Sequence, residues 1–225
     1  MHILITGGNK GIGLSATKLF IRAGWQVTIL ARHAGELQLE CTKHDIDLTN
    51  IELIKDLPKL VGDIDVLVND AGMMNTETYD AYDPTKKEAI VKLNLEAPVE
   101  LMTVFAESLK SRKGRIINVG SIAGEIGHPD IWYGATKAGL MNATKSFAKL
   151  LSPDVSVNAI APGPVNTDMM QKIPAERLEA MKKNAATGRI AEAEEIAQLI
   201  FWLASEAPRQ ITGSIIDING GAYLR

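Results

Sequence analysis

Residues 3–13 read ILITGGNKGIG. Ile3-Leu4-Ile5 is a short apolar run, expected as a strand buried on both faces. Residues 6–13, TGGNKGIG, follow at once as a turn that opens a helix. Gly7, Gly11 and Gly13, with Gly8 in addition, permit tight turns and close approach of a ligand. The start of a helix offers free N–H groups to a pyrophosphate. The spacing is G-x-x-x-G-x-G and not the G-x-G-x-x-G dinucleotide fingerprint. Two readings stay open at this point: a phosphate-binding turn, and a glycine-rich turn with no ligand.

Working outward, the helix carries Leu14, Thr17, Lys18 and Ile21, with Gly24 as its terminator. Further strands are expected at Val27–Leu30, at Ile46, at Ile64–Val68, at Arg115–Val119, at Val155–Ile160 and at Ser214–Ile218. Between them, residues 32–43 should hold no more than a short helix. Residues 50–61, 85–110, 134–151 and 192–205 read as helical, with a bend at Pro98. Short apolar strands alternating with helices predict an α/β domain: a mostly parallel sheet with helices on both faces. No linker, repeat or low-complexity tract divides residues 1–225, so one domain is expected.

The bulk properties narrow the function. The chain has 225 residues, 46% apolar and 23% charged, with a formal net charge of -3. That charge gives no general attraction to nucleic acid or to an anionic membrane. Cys41 is the only cysteine, which excludes an internal disulfide and suits a reducing compartment. The first apolar run is too short for a signal peptide or a span, and no later run reaches about 18 apolar residues. A cytoplasmic protein with no membrane partner is therefore expected. His2, His33, His44 and His128 are scattered, so no metal site is expected.

Two further places carry chemistry. After the second strand stands Ala31-Arg32-His33, with no acid until Glu36. An acid there would bind a ribose 2′-hydroxyl, whereas an arginine accommodates a 2′-phosphate. Arg32, helped by Lys10 in the glycine turn, favours NADP(H) over NAD(H). The alternative is two solvated charges. Residues 132–137 read WYGATK, which puts Tyr133 and Lys137 on one helix face. A phenol with a pKa of about 10 is useful near neutrality only if its environment is tuned. A nearby ammonium and a cationic oxidised nicotinamide would both favour phenolate. The pair is either an acid/base unit or a surface aromatic beside a surface charge.

With these residues in order, the chain resembles the short-chain dehydrogenase/reductase family, in its shorter form, from Thr6 to Gly221. The family's TGxxxGxG turn matches Thr6, Gly7, Gly11 and Gly13. Its NNAG segment is Asn69-Asp70-Ala71-Gly72, with Asp70 in place of the usual second asparagine. Its PGxVxT segment matches Pro162, Gly163, Val165 and Thr167. The resemblance implies a single-domain Rossmann fold around a seven-stranded parallel sheet. It implies cofactor contacts from Gly7, Asn9, Lys10, Gly11, Ile12, Gly13, Arg32, Asp47, Leu48, Asn69, Ala71, Gly72, Tyr133, Lys137, Pro162, Gly163, Val165 and Thr167. It implies catalysis by Ser121, Tyr133 and Lys137, with Asn94 positioning a relay water.

Under this reading Tyr133 is the acid in reduction and the base in oxidation. Lys137 tunes it and holds the nicotinamide ribose, and Ser121 donates to the carbonyl oxygen. Four blander roles stand beside these: Ser121 as a turn cap, Asp47 bonding only local backbone, Thr167 as a helix cap, and Asn94 on a helix surface. Tyr133 follows Ser121 by twelve residues, slightly tight for the family. His128, in that loop, is taken as a surface residue, and Glu125 is equally uncommitted. Residues 168–190 are expected as a substrate lid. Met169, Met170, Ile173, Leu178 and Met181 line an apolar pocket or pack the lid. Lys172, Lys182, Lys183 and Arg189 either steer an anionic substrate or form a solvated face.

The function expected is an NADP(H)-dependent oxidoreductase acting between a carbonyl and a secondary alcohol, in a homodimer or homotetramer. The rivals are a catalytically inactive NADP(H)-binding regulatory or scaffold protein, and a sugar-nucleotide epimerase of the longer, extended group.

Overall fold

Alternation along the strands determines the layering. In β1 (His2–Thr6) every residue is buried, and successive side chains point to opposite faces. Ile3 and Ile5 join one core cluster and Leu4 the other. Val66 and Val68 against Leu67, and Ile117 against Ile116, divide in the same way. Complete burial of an Ile or Leu contributes about 1.5–3 kcal/mol. A strand of this kind is therefore stable only with helices on both sides.

The computed structural model describes residues 1–75, 79–170 and 173–224. After β1 come α1 (Gly11–Arg22), β2 (Gln26–Ala31), a 3-10 turn at Ala34–Glu36 and β3 (Thr42–Asp45). Another 3-10 stretch, Ile51–Asp56, leads into α2 (Leu57–Val61) and β4 (Val66–Asn69). Next are α3 (Pro84–Val91), a π-helical turn at Lys92–Glu96, α4 (Ala97–Val104), α5 (Ala106–Ser111) and β5 (Arg115–Val119). The chain continues through α6 (Ala123–Ile126), α7 (Ile131–Leu150), β6 (Ser156–Pro162), β7 (Val165–Asn166) and α8 (Ala175–Asn184). It closes with β8 (Ala191–Glu192), α9 (Ala193–Ser205) and β9 (Ile215–Ile218).

Seven strands form one parallel sheet in the order β3-β2-β1-β4-β5-β6-β9, while β7 and β8 make a separate two-residue pair. This is a single-domain Rossmann fold with helices on both faces. One face is covered by α1 and α9, where Phe20 packs on Trp25 at 4.9 Å and on Phe201 at 5.1 Å between ring centroids. The other face carries Leu57 of α2, Leu101 and Met102 of α4 and Leu140 of α7. The strand order reverses between β1 and β4, and ligands of open α/β sheets bind at such a switch point.

The structure corrects three expectations. The third strand is Thr42–Asp45 and stops before Ile46. The segment 85–110 is broken by the π-helical turn around Asn94 and again at Phe105, while Pro98 sits in the first turn of α4, where its missing N–H costs nothing. Helix α7 begins at Ile131 because Asp130 caps it, which places Tyr133 inside the first turn.

Candidate active site

At the switch point the cleft is laced by one hydroxyl. Thr6 ends β1, and its Oγ1 accepts the N–H groups of Asp70 and Ala71, each at 3.0 Å. The loop after β4 is thereby drawn against the glycine turn. Gly7 has φ +71°, and a Cβ there would stand 3.0 Å from the Ala71 Cα. A Cβ on Gly13 would lie 2.4 Å from the Gly7 carbonyl oxygen and 2.6 Å from Asp70 Oδ2. Only glycine permits this approach of the start of α1 to the loop after β4.

Beside the turn, Asn9 donates from Nδ2 to the Arg32 carbonyl at 2.9 Å, tying the two loops together. Arg32 is exposed and faces the cleft. Asp47 accepts the Thr49 N–H at 3.0 Å and its hydroxyl at 2.8 Å, both through Oδ1. The Thr49 backbone bond, aided by the Arg32 charge, holds its carboxyl below the usual range.

The chemistry end is set by α7. Lys137 is 4% exposed, and its Nζ donates to the Val119 carbonyl at 2.7 Å. Two ammonium protons remain beyond that bond. The Nζ lies 5.8 Å from the Tyr133 ring centroid. Burial depresses the Lys137 pKa, and the Asp70 carboxylate opposes that shift. Burial pushes the Tyr133 phenol up, a hydrogen bond with Ser121 lowers it, and Asp130 and Asp70 raise it further. The free protein therefore holds Tyr133 protonated, in the state an acid requires. Ser121 Oγ accepts the Ala123 N–H at 3.1 Å, which leaves its proton to donate elsewhere.

All of this opens on one cleft of about 800 Å³. Its glycine turn, Arg32 and the Tyr133/Lys137 pair fit a nicotinamide dinucleotide in extent and in charge. The family model described as enoyl-(acyl carrier protein) reductase matches residues 7–223. A 3-oxoacyl-[acyl-carrier-protein] reductase of Thermotoga maritima is 34% identical, over 98% of this chain and 97% of that protein. The chain belongs to the short-chain dehydrogenase/reductase family. The corresponding reductase of Aquifex aeolicus is 32% identical, over 98% of this chain and 96% of its own. A solved short-chain dehydrogenase/reductase from Brucella melitensis, titled glucose/ribitol dehydrogenase, superposes with a TM-score of 0.92 at 25% identity, covering 100% of this chain and 97% of that one. The family supports NAD(P)H-dependent oxidoreductase activity in general.

In this short-chain dehydrogenase/reductase most of the expected residues meet at the cleft. Gly7, Asn9, Lys10, Gly11, Ile12, Arg32, Asp47, Leu48, Ala71, Gly72, Ser121, Tyr133, Lys137, Pro162, Gly163, Val165 and Thr167 all line it. Three expected residues do not. Gly13 acts through its closeness to Gly7 and Asp70. Asn69 turns inward and donates to Asn118 Oδ1 at 2.8 Å, and Asn118 in turn donates to Thr144 at 2.9 Å. Asn94 is fully buried in the π-helical turn, where its amide accepts the Met73 N–H at 2.9 Å and donates to the Met73 carbonyl at 2.8 Å. The Asn94 side chain is thus committed to holding the loop after β4. The Thr167 hydroxyl donates to the Val165 carbonyl at 3.3 Å.

The substrate side also departs from expectation. His128 is in the cleft rather than on the surface, with its ring 5.2 Å from that of Tyr133. Met169, Met170, Ile173 and Met181 line the cleft, whereas Leu178 does not, and neither does Glu125. Lys182 pairs with Glu179 at 2.6 Å. Arg189 grips both oxygens of Glu195 at 2.6 and 2.7 Å. Lys172 lies outside the described residues. The sequence reading missed Arg177, which reaches the cleft from α8, and the buried cap Asp130. For Asp130 a signal existed: an acid three residues before Tyr133 at the start of a helical pattern.

Proposed function

We propose that this protein is an NADP(H)-dependent carbonyl reductase, working on substrates with an apolar chain beside the carbonyl. The observation that carries the proposal is the convergence of Ser121, Tyr133 and Lys137 on one cleft with the glycine turn and Arg32. The bound nicotinamide would supply the hydride. Ser121 would donate to the carbonyl oxygen, and Tyr133 would pass its proton to that oxygen as charge develops. Lys137 would hold the ribose with the protons left free by Val119. Arg32 would take the 2′-phosphate bidentately. The methionines of the lid suit an adaptable apolar substituent, and the names of the relatives make 3-oxoacyl thioesters the first substrates to try.

The test is NADPH oxidation with a panel of 3-oxoacyl thioesters and simple ketones, in wild type and Tyr133→Phe. Loss of the phenol proton should cost about 10²–10⁴ in kcat. Equal rates for the two proteins on every substrate turned over would refute the assignment of Tyr133.

A further inference from the structure

Asp70 is a cleft residue whose charge is wrong for its place beside the glycine turn. It stands where a dinucleotide's phosphates would approach the start of α1, yet it is an acid. Its Oδ2 lies 2.6 Å from where a Cβ of Gly13 would be, and the Gly13 N–H donates to it. Its own N–H is tied to Thr6, so the residue cannot swing away with its loop. The titratable groups it interacts with are Lys137 and Tyr133, both on α7. Lys10 of the glycine turn and Asp168 after β7 share the cleft, and Asn94, facing the same loop, is neutral.

We propose that Asp70 is a proton-accepting positioning residue, whose carboxylate takes up one proton from solvent when a dinucleotide binds. The inference rests on the nicotinamide reading of the cleft. Ionised Asp70 occupies an N–H of the first turn of α1 and places a negative charge where a pyrophosphate brings two more. Like charges at that range favour the neutral acid. The proton moves from bulk water to a carboxylate oxygen; no other bond changes. The neutral acid keeps a carbonyl oxygen for the Gly13 N–H but ceases to repel the ligand. Burial already pushes the carboxyl up to about 7, against the pull of Lys137 and the Gly13 N–H, so protonation is within reach near neutrality.

The sign follows from linkage. The complex holds Asp70 protonated to higher pH than the free protein does, so affinity is flat below the free value and falls above it. A shift of one unit between free and bound protein gives about a tenfold loss of affinity.

The experiment is calorimetric titration with NADPH and NADH in buffers of different ionisation enthalpy, between about pH 6 and pH 9. Wild type and Asp70→Asn, which restores an uncharged isostere, are compared, with thermal melts confirming that both are folded. NADH carries no 2′-phosphate, so its titrations lack that group's contribution, and the difference between the two proteins reports Asp70 together with the Lys137 it faces. Wild type should take up about half a proton more than Asp70→Asn between about pH 7 and pH 8 with either cofactor, and its dissociation constant should rise about tenfold more than that of Asp70→Asn across the range. Equal proton uptake and parallel pH profiles in the two proteins would overturn the inference and leave the reductase reading intact. Absence of any cofactor binding by folded wild type would overturn both. If Asp70→Asn did not fold, the buffer-dependent proton uptake of wild type alone would still decide: none means the inference is wrong.

Discussion

Replacing Asp130 by alanine tests how the site is held together. Asp130 is 3% exposed and accepts three hydrogen bonds: the Tyr133 N–H at 3.0 Å, the Asn75 N–H at 2.7 Å and the Tyr82 hydroxyl at 3.2 Å. The first is the N-cap of α7, and loss of such a cap costs about 1 kcal/mol. The bonds from the other two partners are lost as well, and hydrogen bonds to a charged group contribute about 1.5–3 kcal/mol each. Allowing for relaxation, Asp130→Ala should destabilise the fold by about 4 kcal/mol. For a chain of this length the melting temperature should drop by about 8–16 °C. Asp130→Asn keeps the shape and one acceptor, and should lose less. It also removes a negative charge that raises the Tyr133 phenol, so the alkaline limb of the reductase profile should move to lower pH. Differential scanning calorimetry and kcat against pH read the two effects separately. A melt of Asp130→Ala within about 2 °C of wild type would show that the network contributes less than about 1 kcal/mol, and the reasoning would fail.

Gly13→Ala should lower NADPH affinity at least about tenfold and cost about 1–3 kcal/mol of stability, since the new methyl must displace the Gly7 carbonyl or Asp70; fluorescence titration and urea melts check both. Arg32→Ala should reduce kcat/KM with NADPH by about tenfold or more, the worth of a charged hydrogen bond, and leave the NADH value within about twofold; steady-state rates with both cofactors decide it, and an equal loss with each would remove Arg32 from the 2′-phosphate.

Legibility differed between the two halves of the cleft for a physical reason. The cofactor half is built from strand ends and the turns after them, where backbone needs leave marks in sequence. Glycine stands where a Cβ would strike the Gly7 carbonyl, and a threonine stands where two N–H groups need an acceptor. β1, β2, β4, β5 and β6 were legible because burial on both faces forces apolar runs, whereas the edge strand β3, the polar Thr42–Asp45, left no such mark and was expected at Ile46 instead. The π-helical turn around Asn94 left no such mark, because a change of helical pitch alters no residue preference strongly. Nor did the inward turn of Asn69, which a second buried asparagine, Asn118, makes favourable. The substrate half comes from α6, α7 and α8 together, so the presence of Arg177 beside His128 is a tertiary fact that no spacing encodes.

The same contrast explains how Tyr133 and Lys137 come to be usable. Their i,i+4 spacing guarantees a shared face but not a direction or an ionisation state. Direction comes from Asp130, which starts the helix at Ile131 and so fixes the rotation at which both side chains enter the cleft. Depth comes from Lys137, whose bond to the Val119 carbonyl anchors α7 over the end of β5, one residue before the loop that carries Ser121. Ionisation comes first from burial, which favours the protonated phenol, with Asp130 and Asp70 adding to it. A third charge, on Lys137, is held by Asp70 against the cost of burial. The free protein thus stores the proton on Tyr133 and the positive charge on Lys137 before any substrate arrives. That arrangement suits reduction: the acid is loaded in advance, and the charge that develops on the carbonyl oxygen meets groups already oriented to receive it.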